Sequence, residues 1–334
     1  MQAIIPVAGA GTRLRPLTYT QPKALISVAG KPILSFIVDE LRENGITEFI
    51  FVIGYLGEKI KEFVESHYPE LNVKFVQQDD RHGLGHAIWC ARDVIKQDEE
   101  LIIHLGDTIV DIDIKQIMAE PHSTLCIKKV EDPRAFGVAE LTPDGFIKAV
   151  VEKPTIPKSN MALVGFYFIR ETKMLLEALE YSIQHDLRTN NEIYLTDALQ
   201  TMINNGVKFK SSKVDSWYDV GKKEILLETN AILLRKFGNK AENSCKCDNS
   251  IIVPPVQIAK GVRIVNSIIG PNVSIGENTE VSHSIIRNSI IGSFSKLERV
   301  VLHSSLIGSD SSVTGLSQSL NIGDNTEIDL SGTK

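Results

Sequence analysis

Ala3-Ile4-Ile5-Pro6-Val7 runs without a break into Ala8-Gly9-Ala10-Gly11-Thr12-Arg13-Leu14-Arg15-Pro16, and Pro22-Lys23 lies a short step further on. The opening residues are apolar and rich in β-branched side chains, as a buried strand requires. Glycines directly after such a strand let backbone N–H groups approach a phosphate without a Cβ in the way. This is not a Walker loop, because no Gly-Lys-Ser/Thr follows at the required spacing. Nor is it a dinucleotide fingerprint: the third glycine is missing, and Arg13, Arg15 and Pro16 stand where a helix should begin. What remains is a strand exit with Gly9 and Gly11, an arginine able to grip phosphate oxygens with paired N–H groups, and Lys23 as a second positive charge.

The same strand grammar recurs at residues 49–53, 73–76 and 101–105. Helical patterns lie between: residues 32–41 open with Pro32 and close before Gly45, and residues 57–67 and 83–95 repeat the theme. Strand–helix alternation predicts an α/β domain with a mostly parallel sheet covered on both faces, its ligands at the carboxyl ends of the strands. After about residue 240 the helical period stops. Ile-Gly pairs recur at Ile269-Gly270, Ile275-Gly276, Ile291-Gly292, Ile307-Gly308 and Ile322-Gly323. A spacing of about six residues within a coil and about sixteen between coils predicts a hexapeptide-type parallel β-helix. The expected domains are residues 1–237 and 238–334.

With 334 residues, 43% hydrophobic and 23% charged, the chain is long enough for two ordinary globular domains. Its formal net charge of −6 argues against a general nucleic-acid binder, which would show a basic face. No apolar run approaches membrane-spanning length, and the start lacks the pattern of a signal peptide, so the expected compartment is the cytoplasm. Of the four cysteines only Cys245 and Cys247 lie close together, and no second pair completes a zinc site. Free thiols in a reducing compartment are expected.

Two aspartates stand at strand exits. Asp107 follows the apolar run 101–105, and Asp219 closes Ser216-Trp217-Tyr218-Asp219. Hard carboxylates converging from distant positions suit Mg²⁺, which keeps waters and binds substrate phosphates. Helix capping is the competing role for each. Asp111 and Asp113 read as turn and cap residues.

The stretch from Ala8 to Pro16 with Pro22-Lys23 resembles the Gly-Gly-x-Gly-Thr-Arg-Leu-x-Pro…Pro-Lys signature of sugar-1-phosphate nucleotidylyltransferases. The resemblance runs through essentially the whole chain and is strongest to long-form glucose-1-phosphate thymidylyltransferases, which carry a C-terminal left-handed β-helix. It implies a Rossmann-like nucleotidyltransferase domain, with Arg13 and Lys23 on the triphosphate and Asp107 and Asp219 holding the catalytic magnesium. One departure is Ala8, where the signature has its first glycine; Ala-Gly here is similar to uridylyl enzymes. Val150-Val151-Glu152-Lys153-Pro154 matches the family's Glu-Lys-Pro element, which implies Lys153 on the sugar phosphate and Glu152 on sugar hydroxyls. Glu192, in the Glu-x-x-x-Thr-Asp element, Gly165 and Gly137 match further sugar contacts. Thr196 and Asp197 of that element are either ligand contacts or helix caps. Gln78 and the turn from Gly83 to Ala87 match the base-reading segment, with His86 structural rather than catalytic. The backbone of Ala8, Gly9, Gly11 and Thr12 completes the nucleotide site.

The reaction so implied joins a nucleoside triphosphate, dTTP ahead of UTP, to a sugar 1-phosphate, glucose 1-phosphate first, with release of pyrophosphate. Alternatives within the superfamily are a glucose-1-phosphate uridylyltransferase and a mannose-1-phosphate guanylyltransferase. A bifunctional enzyme with an acetyltransferase β-helix would need a catalytic imidazole, and His283 and His303 are the candidates. A non-catalytic regulatory homologue is the reading from another class; the complete set Arg13, Lys23, Asp107, Lys153 and Asp219 argues against it. The β-helix is expected to serve oligomerisation or regulation, in a homo-oligomer without nucleic-acid or membrane partners.

Overall fold

The computed structural model describes residues 1–189, 191–237, 240–241 and 245–315. The chain divides into two compact units, Met1–Leu233 and Leu234–Lys334. In the first, a mixed sheet runs in the order Ile147–Glu152, Gly137–Leu141, Met161–Ile169, Leu101–His104, Gln2–Pro6, Glu48–Ile53, Asn72–Gln77. The four strands from Leu101–His104 to Asn72–Gln77 are parallel. They are the strands separated by helices, whose crossovers allow parallel pairing. The strands at the other end, from Ser123 to Ile169, follow one another without a long helix, and they pair antiparallel. The sheet is therefore parallel where the chain alternates and antiparallel where it does not.

Ala3, Ile4, Phe51, Val52, Leu101, Ile102 and Ile103 are all fully buried, as strands covered on both faces must be. Asn72–Gln77 sits at the edge, and its burial alternates instead. Two of the expected helices appear at Ile33–Glu43 and Gly57–His67. The third is shorter than its pattern, spanning Leu84–Cys90. Beyond it the chain continues in tight turns, with Val94 N–H donating to Ala91, that still bury Ala91 and Ile95. The apolar spacing of residues 83–95 thus served the core without requiring one continuous helix.

The second unit is a left-handed β-helix of three parallel sheets. Val256 pairs with Val273, Ser274 with Ile290, and Ile290 with Leu306, so the first of these coils takes 17 residues and the later ones 16. Ile258, Ile264, Ile269, Val273, Ile286 and Leu297 point inward and are fully buried. Corners need left-handed backbone, and small polar residues supply much of it: Asn249, Asn266 and His283 stack at one corner, Asn272, Asn288 and Ser304 at another. Both histidines join these ladders. Asn266 Nδ2 lies 3.1 Å from His283 Nε2, and Asn288 Nδ2 lies 3.2 Å from His303 Nε2. The Ile322-Gly323 pair falls outside the described residues. No helix among the described residues is long and apolar enough to cross a membrane.

Candidate active site

The first strand delivers its loop to the carboxyl edge of the parallel sheet. Ala8 is buried there, and its Cβ fills the space beside Gly54, where an added Cβ would sit 2.9 Å away. Alanine at this position is therefore matched by a glycine on the neighbouring strand's exit. Gly11 has φ +60°, and a Cβ on it would come within 2.9 Å of Thr18 and 3.0 Å of Lys23. The buried Thr18 hydroxyl donates to the Gly11 carbonyl at 2.8 Å and pins the turn. Gly9 has open space around it, facing the cleft.

Lys23 draws the two aspartates together. Its Nζ lies 2.5 Å from Asp107 Oδ2 and 4.0 Å from Asp219 Oδ1. Asp107 follows the Leu101–His104 strand, and Asp219 ends the Ser216–Asp219 strand, which pairs with Thr108–Asp111. The pairing of Asp219 with Thr108 is what brings a residue from far along the chain beside Asp107. Burial, and then the charge of Asp107, push the Asp219 carboxyl above its ordinary range; Lys23 and Arg13 act against them. Among the described residues no group of three or more His, Cys, Asp or Glu side chains gathers to hold a metal. The carboxylates that converge are these two. Asp113 instead caps the Ile114–Ala119 helix, accepting from Gln116 N–H at 3.0 Å.

A cleft of about 510 Å³ opens on one side of the aspartates. Ala8, Gly9, Gly11, Thr12, Arg13, Lys23, Gln78 and Gly83 all line it. Gln78 is buried, with Nε2 3.2 Å from the Gly83 carbonyl and 3.0 Å from His86 Nδ1. Gln78 Nε2 can only donate, so His86 Nδ1 is the acceptor of that bond; burial and the neighbouring His82 lower the His86 pKa. That leaves the Gln78 carbonyl oxygen to meet a ligand. Gly83 has φ +101°, and a Cβ there would lie 2.6 Å from the Ile193 carbonyl.

A second cavity, of about 280 Å³, opens on the other side and shares Leu84, Leu105, Asp107, Glu192 and Asp219 with the first. Gly137, Glu152 and Lys153 line it. Glu152 Oε2 accepts from the Thr196 hydroxyl at 3.1 Å, and a Cβ on Gly137 would come within 3.1 Å of the same oxygen. Burial raises the Glu152 pKa, against the opposing charge of Lys153. Lys153 itself has φ +40°, strained for a side chain with a Cβ, and places Nζ 3.4 Å from the Tyr194 hydroxyl. Gly165 lines neither cavity. It lies behind Leu105, whose side chain a Cβ on Gly165 would meet at 2.7 Å.

Of the two roles open to Thr196 in sequence, ligand contact or helix cap, the structure gives neither directly, and Tyr194 and Trp217 carry no site signal of their own. Thr196 orients Glu152, Tyr194 meets Lys153, and Trp217 lines the second cavity with a buried Nε1 that has no hydrogen-bond partner. Thr196 and Tyr194 flank the start of the Leu195–Asn204 helix, where capping and ligand roles look alike in sequence. Trp217 stands two residues before Asp219, and that adjacency was the available signal.

The model of the nucleotidyl transferase family matches residues 2–236. The chain belongs to that family. A family relative, glucose-1-phosphate thymidylyltransferase of Streptomyces antibioticus, is 30% identical over 325 residues, covering 95% of this chain and 89% of the relative. The bifunctional protein GlmU of Methanocaldococcus jannaschii is 34% identical over 262 residues, covering 78% of this chain and 61% of that protein. Among solved structures, UDP-glucose pyrophosphorylase complexed with UDP-glucose superposes with a TM-score of 0.61 at 26% identity, over 70% of this chain and 98% of that one.

Proposed function

We propose that this enzyme transfers a nucleotidyl group from a nucleoside triphosphate, dTTP ahead of UTP, to a sugar 1-phosphate, glucose 1-phosphate first, releasing pyrophosphate. The observation that carries this reading is the pair of cavities meeting at Asp107 and Asp219. The larger one, with its glycine loop, Arg13 and Lys23, suits a triphosphate and base. The smaller one, with Glu152 and Lys153, suits a phosphorylated sugar. The relatedness to a thymidylyltransferase over most of both chains supports the thymidylyl reading, and the likeness to a UDP-glucose enzyme keeps UTP second.

A phosphate monoester dianion is already a nucleophile near neutral pH, so the enzyme needs no general base. Catalysis is positioning plus charge neutralisation. Lys153 holds the sugar phosphate, and Glu152, oriented by Thr196, accepts from sugar hydroxyls. Arg13 and Lys23 take up charge on the triphosphate. The Gln78 carbonyl accepts from the N3–H of thymine or uracil.

Asp107 and Asp219 fit a divalent cation such as Mg²⁺: both are hard oxygen donors, and burial, then the charge of Asp107, raises the Asp219 pKa, which a bound cation would oppose. Bound there, the cation supplies charge neutralisation on substrate phosphates.

The β-helix, from about residue 238, serves assembly with further copies. In support, Ile251, Ile268, Ile285 and Val301 stack in register on one outer face, with Ile251 60% and Val301 78% exposed. A neighbouring face carries Lys246, Arg263, Glu280 and Lys296 in the equivalent stack. An aliphatic ladder exposed at both ends and half-buried at Ile268 and Ile285, beside a charged one, suits the face that a second subunit covers.

A pyrophosphate-release matrix of dTTP, UTP, GTP, CTP and ATP against several sugar 1-phosphates tests the assignment. The highest kcat/KM is expected for dTTP with glucose 1-phosphate. A purine nucleotide as best substrate, or no release with any pair, contradicts it.

A further inference from the structure

Cys245 and Cys247 take no part in the chemistry above, yet their sulfurs lie 3.1 Å apart. Residues two apart on extended backbone share a face, which is how the pair comes to meet. Cys247 lies in the Lys246–Asp248 strand and pairs with Ile264, so it heads the inward stack that continues through Val281 and Leu297. Those three are buried, whereas Cys247 is exposed. Cys245 is half-buried against the same core. One sulfur therefore faces solvent and the other backs onto it from the apolar side. The other two cysteines are placed differently: Cys126 is fully buried, and Cys90 is half-buried beside His86.

We propose that Cys245 and Cys247 form a thiol–disulfide exchange site, in which a low-molecular-weight disulfide oxidises the pair to an intramolecular disulfide. The exposed Cys247 thiol loses its proton and its sulfur attacks one sulfur of the small disulfide. That breaks the small molecule's S–S bond and releases one small thiol, leaving a mixed disulfide on Cys247. Cys245 then loses its proton and attacks Cys247 Sγ, and the second small thiol departs. The two thiol hydrogens end on the two leaving thiols. The protein is oxidised by two electrons, and the small disulfide is reduced by two. The order follows from placement. Cys247 is exposed and meets the small disulfide first, whereas Cys245 is half-buried and burial raises its pKa. Cys245, already in contact, resolves the adduct faster than a second small thiol arriving from solution.

The test treats the reduced full-length chain with oxidised glutathione and follows it by intact mass and peptide mapping. The expected product is a loss of two hydrogens in the peptide holding residues 245–247, reversed by dithiothreitol. The Cys245→Ser variant should stop at a stable single glutathione adduct on Cys247, and the Cys247→Ser variant should show neither product. A stable adduct on the wild-type chain, a disulfide joining Cys247 to Cys90 or Cys126, or no reaction at residues 245–247 would overturn the proposal.

Discussion

Asp107 and Asp219 repel one another, and Lys23 lies between them in contact with both. Replacing either carboxylate should remove the proposed cation site and leave the fold intact, since both side chains are partly solvent-exposed. Asp107→Asn is expected to lower kcat/KM about a hundred- to a thousandfold with an unchanged circular dichroism spectrum; a near-native rate contradicts the assignment. Glu152 makes a different prediction. Its folded-state pKa is raised, so the folded chain binds more protons than the unfolded chain at pH values just above 4.5. Stability therefore falls as pH rises through that window, and the ionised, buried carboxylate is a cost at neutral pH. Glu152→Gln keeps an acceptor for Thr196 while removing the charge. Its Tm at pH 7 should equal or exceed that of the wild type, and its KM for the sugar phosphate should rise about tenfold or more. A clear fall in Tm would show that the charge stabilises the fold instead.

At the scale of elements, the glycine loop and the turn at Gly83 were legible for a shared reason: each is a short, contiguous run whose backbone demands appear as residue types. What the turn closes against was not legible. Ile193 N–H donates to the His82 carbonyl at 2.7 Å, and Gly85 N–H donates to the Ile193 carbonyl at 2.8 Å. This clip joins segments a hundred residues apart and rests on backbone groups, which leave no mark on side-chain choice. Gly83→Ala forces a Cβ into that clip at an unfavourable φ, for a cost of about 1–3 kcal/mol. The measurable outcome is a lower Tm together with a raised KM for the nucleotide; a variant unchanged in both would mean the clip does not shape the cleft. The Tyr194–Lys153 contact was hidden for a related reason, since a tyrosine just before a helix reads as packing. Gly165 shows the reverse: a residue chosen by resemblance stands one layer behind the cavity wall.

For the whole molecule, the two architectures were plain because each has its own period, alternating strand and helix before about residue 240 and short aliphatic repeats after it. The antiparallel end of the sheet was not, because buried strands of either pairing carry similar apolar runs. The outer ladder of Ile251, Ile268, Ile285 and Val301 was likewise obscured, since adjacent isoleucines do not announce which of them faces in. Ile285 faces outward, so Ile285→Glu should spare the β-helix core and shift a concentration-dependent mass, read by light scattering, toward the monomer. A wild-type chain that is monomeric at micromolar concentration contradicts the assembly role.

In the proposed reaction two substrates meet at Asp107 and Asp219 and react directly, by in-line attack of one phosphate on the other. The stereochemical course tests this most directly. A single diastereomer of dTTP with sulfur on the α-phosphorus, incubated with glucose 1-phosphate, should give a nucleoside-diphosphate sugar of inverted configuration at that phosphorus. Retention would reveal a covalent nucleotidyl-enzyme intermediate, for which this site has assigned no nucleophile, and would contradict the account.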